Sequence, residues 1–216
     1  MTHRHFWEDP YATALDARVA AARGNDVELD RSIFFAFSGG QESDAGTIGG
    51  WPVQSATLDG QRLVYALPAG HGLRAGDAVR IEIDWARRYA LMRLHFAAEL
   101  VLEMLSAALP GAERIGAHIS QDKARIDFAW PQSIAPLLPT IGARVAAVVA
   151  ADLPVRSEFS DRAAGRRYWE VEGVARVPCG GTHLRRTGEV GALALKRRNV
   201  GQGKERVEIR LAGAAA

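Results

Sequence analysis

Cysteine is almost missing from this chain: there is one, Cys179, among 216 residues. No internal disulfide can form, and a specific role for the thiol lies in metal or thiolate chemistry, set against a buried apolar thiol as the plain alternative. Long apolar runs are missing too. Nowhere do 18 apolar residues follow one another, and Met1 to Pro10 carries Glu8 and Asp9 where a secretory leader has a basic stretch and an apolar core. A soluble, cytoplasmic protein is the expectation. There is no Gly-Lys-Ser/Thr phosphate loop, no G-x-G-x-x-G fingerprint and no G-x-S-x-G elbow, which removes the common nucleotide-binding and serine-hydrolase signatures. Internal repeats of about 20 to 50 residues are absent as well, which excludes solenoids.

What is present is an ordinary globular composition, 48% hydrophobic and 24% charged, sufficient for one large domain or two small ones. The formal net charge of +2 hides an asymmetry. Residues 1 to 155 hold 14 Lys/Arg against 18 Asp/Glu, whereas residues 156 to 216 hold 13 against 7. A positive C-terminal segment on a nearly neutral chain reads as a local patch facing a polyanion, or as a solvated charged face.

Hydrophobic periodicity divides the chain. Ser32 to Phe37 reads as a strand, followed by a Gly-rich loop to Gly50. Gln54 to Leu67 reads as a hairpin around Asp59-Gly60, and Val79, Ile81, Ile83 and Trp85 alternate as a half-buried strand. From Arg87 to Leu109 the period changes: Leu91, Leu94, Ala98, Leu102 and Leu105 mark one apolar stripe of a helix that Pro110-Gly111 ends. Lys123 to Ala129 reads as a strand, Ile141 to Leu153 as a helix and Arg167 to Val177 as a strand. Glu189 to Arg198 and Arg206 to Leu211 read as two strands joined by Gly201-Gln202-Gly203. The expected fold class is α+β, with a β-rich N-terminal domain over residues 1–86 and a mixed domain over 87–216. The Ala-rich tail after Leu211 is expected to fray.

Two constellations carry candidate chemistry. His95 and Glu99 lie four apart on the long helix, hence on one face, and Cys179 and His183 lie four apart across a loop containing Gly180 and Gly181. One sulfur, imidazole nitrogens and a carboxylate oxygen suit tetrahedral zinc better than magnesium or calcium. The plain alternative makes Cys179 a core thiol and His183 a hydrogen-bonder. The loop Ser38 to Thr47 packs glycines, hydroxyls, an amide and carboxylates into ten positions, and can offer N–H groups and acceptors to a small ligand or simply connect two strands. His3, His5 and His71 read as incidental, and His118 has no assigned role.

Three segments together resemble the AlaX family of free-standing alanyl-tRNA editing proteins, related to the editing domain of alanyl-tRNA synthetase. They are Ser-Gly-Gly-Gln-Glu-Ser-Asp-Ala-Gly-Thr (38 to 47), Met-Arg-Leu-His (92 to 95), and Cys-Gly-Gly-Thr-His (179 to 183) with Thr-Gly-Glu-Val-Gly (187 to 191). The resemblance implies a small β-barrel-like N-terminal domain followed by an α/β zinc-containing editing domain. It implies zinc on His95, Cys179 and His183, with Glu99 standing where the family usually has a second helical histidine. Glu99 is then a fourth ligand or an acid/base, and Gln41, Asp44 and Thr47 belong to the wall that recognises the amino acid. The implied activity is hydrolysis, in trans, of the ester that joins a wrong amino acid, serine or glycine, to alanine tRNA. Rival readings are a binding-only homologue and a zinc hydrolase of another aminoacyl-tRNA or small ester. Arg185, Arg186, Lys196, Arg197 and Arg198, next in sequence to the Cys/His loop, are the expected tRNA phosphate contacts.

Overall fold

The computed structural model describes residues 2–213, so residues 214–216 of the Ala-rich tail lie outside it. The protein is mixed α and β, mostly strands with two α-helices, and it divides into two compact units, Met1–Tyr89 and Ala90–Ala216. No helix among the described residues is long and apolar enough to cross a membrane.

In the first unit the strands are β1 (His3–Arg4), β2 (Ala14–Arg23), β3 (Asp26–Leu29), β4 (Arg31–Ser32), β5 (Gly46–Ile48), β6 (Trp51–Pro52), β7 (Ser55–Asp59), β8 (Arg62–Ala66) and β9 (Ala78–Ile83). Seven of them form an antiparallel sheet in the order β6-β5-β9-β2-β3-β8-β7, while β1 and β4 pair in parallel. Alternation in β9 buries Val79, Ile81 and Ile83 as expected, in a core with Val19, Leu29, Phe34, Ile48 and Tyr65. The β7–β8 hairpin is also as expected, though Asp59 pairs with Arg62 and only Gly60 (φ +59°) takes the left-handed conformation, so the tight turn is Gly60-Gln61.

The strand expected over Ser32 to Phe37 stops at Ser32. Ile33, Phe34, Phe35 and Ala36 are nonetheless buried, and side chains replace the missing ladder. Phe34 N–H donates to Ser32 Oγ (3.1 Å), Phe35 N–H to Asp44 Oδ2 (2.6 Å), and Ile33 C=O accepts from Arg88 (2.5 Å). Buried backbone groups must be paired somewhere, and here Ser32, Arg88 and, from the Gly-rich loop, Asp44 supply the partners.

Trp85 does not continue β9 but opens helix α1 (Trp85–Ala108), within which the boundary between the two units falls. Its burial is wider than one stripe. Met92, Phe96, Ala97, Leu100, Val101 and Met104 are buried along with Leu91, Leu94, Ala98 and Leu105, whereas Leu102 is only half-buried. Such all-round burial is that of a core helix, not of a surface helix.

The second unit continues with β10 (Glu113–Ile119), β11 (Ala124–Ala129), α2 (Leu138–Ala150), β12 (Arg156–Asp161), β13 (Arg166–Val171), β14 (Ala175–Pro178), β15 (Leu193–Asn199) and β16 (Lys204–Leu211). One antiparallel sheet runs β10-β11-β16-β15 and a second runs β12-β13-β14. Helix α2 lies one turn earlier than periodicity indicates because Pro139 seats in its first turn, where a missing N–H costs nothing. The strand expected over Arg167 to Val177 is two strands folded at Gly173, which has φ +73°.

Candidate metal centre

The second unit brings His95, Glu99, Cys179 and His183 together. Helix α1 carries His95 and Glu99 one turn apart, and the segment after β14 carries Cys179 and His183. One ligand atom from each of the four lies within 4.8 Å of all the others. His95 Nε2 is 3.2 Å from Glu99 Oε2 and 3.3 Å from Cys179 Sγ, and His183 Nε2 is 3.2 Å from the same Glu99 oxygen. The two imidazole rings meet edge-on, with centroids 5.2 Å apart.

Packing around the cluster fixes these side chains. Phe96, next to His95, meets the fully buried Trp169 of β13 edge-on at 5.0 Å. Cys179 N–H donates to Arg167 C=O (2.9 Å), which ties the start of the loop to β13. Gly181 N–H points at Cys179 Sγ (3.4 Å). A side chain at Gly181 would bring its Cβ within 2.8 Å of His95 Nε2, whereas Gly180 faces open space. Only the second glycine of the pair is therefore required by close approach. Ser157 Oγ on β12 lies 3.1 Å from His183 Nδ1 and so orients that ring with Nε2 inward. Sequence reading missed Ser157, and no local pattern marks it.

The segment Thr187 to Gly191 holds the loop from the other side. Thr187 Oγ1 donates to Val148 C=O (2.7 Å) and accepts from Leu153 N–H (2.9 Å), and Glu189 Oε1 accepts the N–H groups of Arg185 and Arg186, both at 3.0 Å. A Cβ at Gly191 would lie 2.7 Å from the Arg93 guanidinium, which donates to Val190 C=O (2.9 and 3.1 Å).

Electrostatics match the geometry. Burial disfavours charge on His95 and His183, yet Glu99 and Cys179 raise both imidazoles above their ordinary range. Burial would raise Glu99, but the two histidines hold it well below the usual carboxylate range. Burial likewise opposes the Cys179 thiolate, and His95 foremost brings it down to about 7. The cluster thus sets two acidic groups against two imidazoles, donors that a divalent cation takes once the rings are neutral and the thiol is a thiolate. A tetrahedral ion with ligands at 2.0 to 2.3 Å sets donor atoms about 3.3 to 3.8 Å apart. The three separations of 3.2 and 3.3 Å are close to that and all four donors lie within 4.8 Å of one another, so the donor types suit zinc and the spacing is compatible with one ion.

The other candidates belong to the first unit or to the segment after His183. In the first unit, both oxygens of the buried Asp44 are engaged, Oδ1 with Arg88 Nε (2.8 Å) and Oδ2 with Arg88 and Phe35 N–H. Arg88 is fully buried and also donates to Pro10 C=O (2.8 Å). Gln41 is buried, and Thr47 is half-buried in β5. Of the basic candidates, Arg186 pairs with Asp152 (2.7 Å), Arg197 with Glu205 (2.5 Å) and Arg198 with Glu208 (3.4 Å), while Lys196 is exposed.

Fold and site define a mixed α/β protein with a largely buried His/Glu/Cys/His cluster that could hold a metal ion. Residues 170–208 match the family described as the threonyl and alanyl tRNA synthetase second additional domain. The chain is 32% identical over 213 residues to the alanyl-tRNA editing protein AlaX-M of Pyrococcus horikoshii, covering 97% of both. It is 28% identical to that of Methanosarcina acetivorans, covering 96% of this chain and 98% of the other. With the alanine–tRNA ligase of Ignicoccus hospitalis it shares 32% identity over 96% of its own length but 26% of the ligase. The chain belongs to the AlaX family of alanyl-tRNA editing proteins.

Proposed function

We propose that this protein is an aminoacyl-tRNA deacylase that hydrolyses, in trans, the ester of mischarged alanine tRNA, with the seryl ester as the principal substrate and the glycyl ester as the next. The single observation that carries this is the convergence of His95, Glu99, Cys179 and His183 on one point, in a chain that matches AlaX-M along nearly its whole length. A synthetic pocket shaped for alanine rejects the near-isostere serine weakly, so a second, hydrolytic site is needed. The N-terminal unit is, in this reading, the barrel-like domain of the family, and the substrate places the activity in the cytoplasm.

His95, Cys179 and His183 would hold zinc, with Glu99 Oε2, which faces both imidazoles, as the fourth donor. The ion supplies Lewis acidity for ester cleavage or an anchor for the aminoacyl end. Four protein donors close a tetrahedral site. Glu99 therefore either completes a closed site or stands as acid/base beside three ligands, and it is the residue on which the chemistry turns. Ser157 keeps His183 in the orientation that both alternatives require. The Gly-rich loop discriminates the amino acid through Gln41 and Thr47, and Asp44, locked to Arg88, serves by holding the loop's shape. Arg185, Arg186, Lys196 and Arg198 are the phosphate-facing cations in this reading, and Arg197, paired with Glu205, is set apart from them.

The test is incubation with serine-, glycine- and alanine-charged alanine tRNA. Release of serine, with alanine spared, is expected. Equal release of alanine would mean that the chain does not edit, and binding without release of any amino acid would make it a binding protein only.

A further inference from the structure

The cations of β15 and β16 fall on two sides of one sheet, and the register sorts them. Between β15 and β16, Lys196 stands opposite Glu208 and Arg198 opposite Arg206. Between β16 and β11, Glu208 stands opposite Arg125, Arg206 opposite Asp127, and Lys204 opposite Ala129. Opposed residues share a face, as do alternate residues of a strand. Arg125, Lys196, Arg198, Lys204, Arg206 and Arg210 therefore lie on one side of the sheet, and the buried Ile126, Phe128, Val207 and Ile209 lie on the other. Arg197 falls on the apolar side with its partner Glu205.

This polar side is open. Lys196, Arg198, Lys204 and Arg210 are exposed, and Arg125 and Arg206 are half-buried. The opposing carboxylates on the same strands are Glu113, at the start of the outer strand β10, and the largely buried Asp127 and Glu208. Asp127 takes Arg125 and also Arg206, the latter through two contacts at 2.6 and 3.0 Å, and Glu208 takes Lys123 at 3.3 Å and Arg198 at 3.4 Å. The anions thus sit low and the cations outward. Lys196, Lys204 and Arg210 make no ion pair among the described residues. The cations form a grid spaced about 7 Å along a strand and about 5 Å between strands.

We infer that this open face of the β10-β11-β16-β15 sheet is an RNA-backbone surface that holds the arm of the tRNA leading to the acceptor end. The inference rests on the editing reading, which supplies the polyanion. Paired RNA is recognised mainly through phosphates and shape, and a flat array of cations with guanidinium forks pre-set by buried carboxylates meets that need without reading bases. The phosphate contacts accordingly extend to Arg125, Lys204, Arg206 and Arg210, and Arg197 serves the core.

Two charge-matched variants of the full chain test it against uncharged alanine tRNA over a range of salt. Lys196→Gln/Lys204→Gln/Arg210→Gln removes three exposed cations that hold no ion pair among the described residues, so no ion pair is lost. Arg23→Gln/Arg74→Gln/Arg144→Gln removes three exposed arginines elsewhere. The first variant is expected to bind about tenfold more weakly or worse near 0.1 M salt, with a log–log salt slope shallower by about two to three, while the second keeps the wild-type slope. Superimposable curves for the first variant and the wild type, or equal losses in both variants, overturn the inference. Deacylation of seryl-tRNA by the wild type, read in parallel, separates the two claims. Intact deacylation with unmoved binding removes the surface alone, and the expected binding loss with no wild-type deacylation removes the editing reading alone.

Discussion

Gly181 passes over the His95 imidazole so closely that a Cβ on it would lie 2.8 Å from Nε2, the nitrogen that faces Glu99 and Cys179. The adjacent Gly180 has nothing within 4 Å of the same position. Gly181→Ala should therefore push His95 out of line and lower zinc occupancy and turnover together, by about tenfold or more as for a disturbed ligand shell. Gly180→Ala should change neither. Metal content and deacylation rate of the two variants, measured side by side, check this, and equal behaviour would mean that the loop yields more readily than its packing shows.

Protein purified without chelator is expected to carry about one zinc per chain, and Cys179→Ala or His183→Ala to lose most of it. Elemental analysis decides. Absence of bound metal even after zinc supplementation would return the four residues to a hydrogen-bonded cluster.

Glu99→Gln keeps the shape of the side chain and removes its charge. Loss of turnover with zinc retained identifies an acid/base, and loss of both identifies a ligand. If neither changes, Glu99 is structural.

In the first unit, Arg88 and Asp44 are an ion pair with no side-chain exposure. Removing one partner strands a buried charge, so Arg88→Met or Asp44→Ala should destabilise the protein by about 3 to 5 kcal/mol. The double variant Arg88→Met/Asp44→Leu should cost less than either single change, since no unpaired charge remains. Denaturant unfolding of the three gives the coupling. Strict additivity would mean that the two side chains act independently.

Glu205 is held below its ordinary range chiefly by Arg197, against the opposing effect of burial. A depressed carboxyl stabilises the fold above its unfolded value, near about 4.3, and that contribution fades as the pH falls through the lower folded value. Arg197→Gln should therefore be less stable than the wild type at pH 7, with the two converging in acid. A constant difference across that range would assign the loss to packing of the arginine stem.

Features whose physics is local are legible in the chain. The period-two burial of Val79, Ile81 and Ile83, the glycine of the β7–β8 turn, and the placing of His95 above Glu99 on one helical face follow from spacing alone. The donor types of His95, Glu99, Cys179 and His183 make a zinc-like set whatever the fold. What spacing cannot carry is who meets whom. His95 and Cys179 are 84 positions apart yet 3.3 Å apart in space, and only packing of α1 near the β13–β14 hairpin, through Phe96 and Trp169, closes that gap. Ser157 became a partner of His183 by the same route. Nothing in the spacing around Arg88 marks it as buried, and only the fold pairs it with Asp44. Strand β10 was missed because Gly116 sits at a bulge between Arg114 and Gly116 that breaks its alternation. Lys196, Arg197 and Arg198 form one basic run in the chain, but a strand turns neighbours to opposite sides, and only the tertiary structure says which side faces the core.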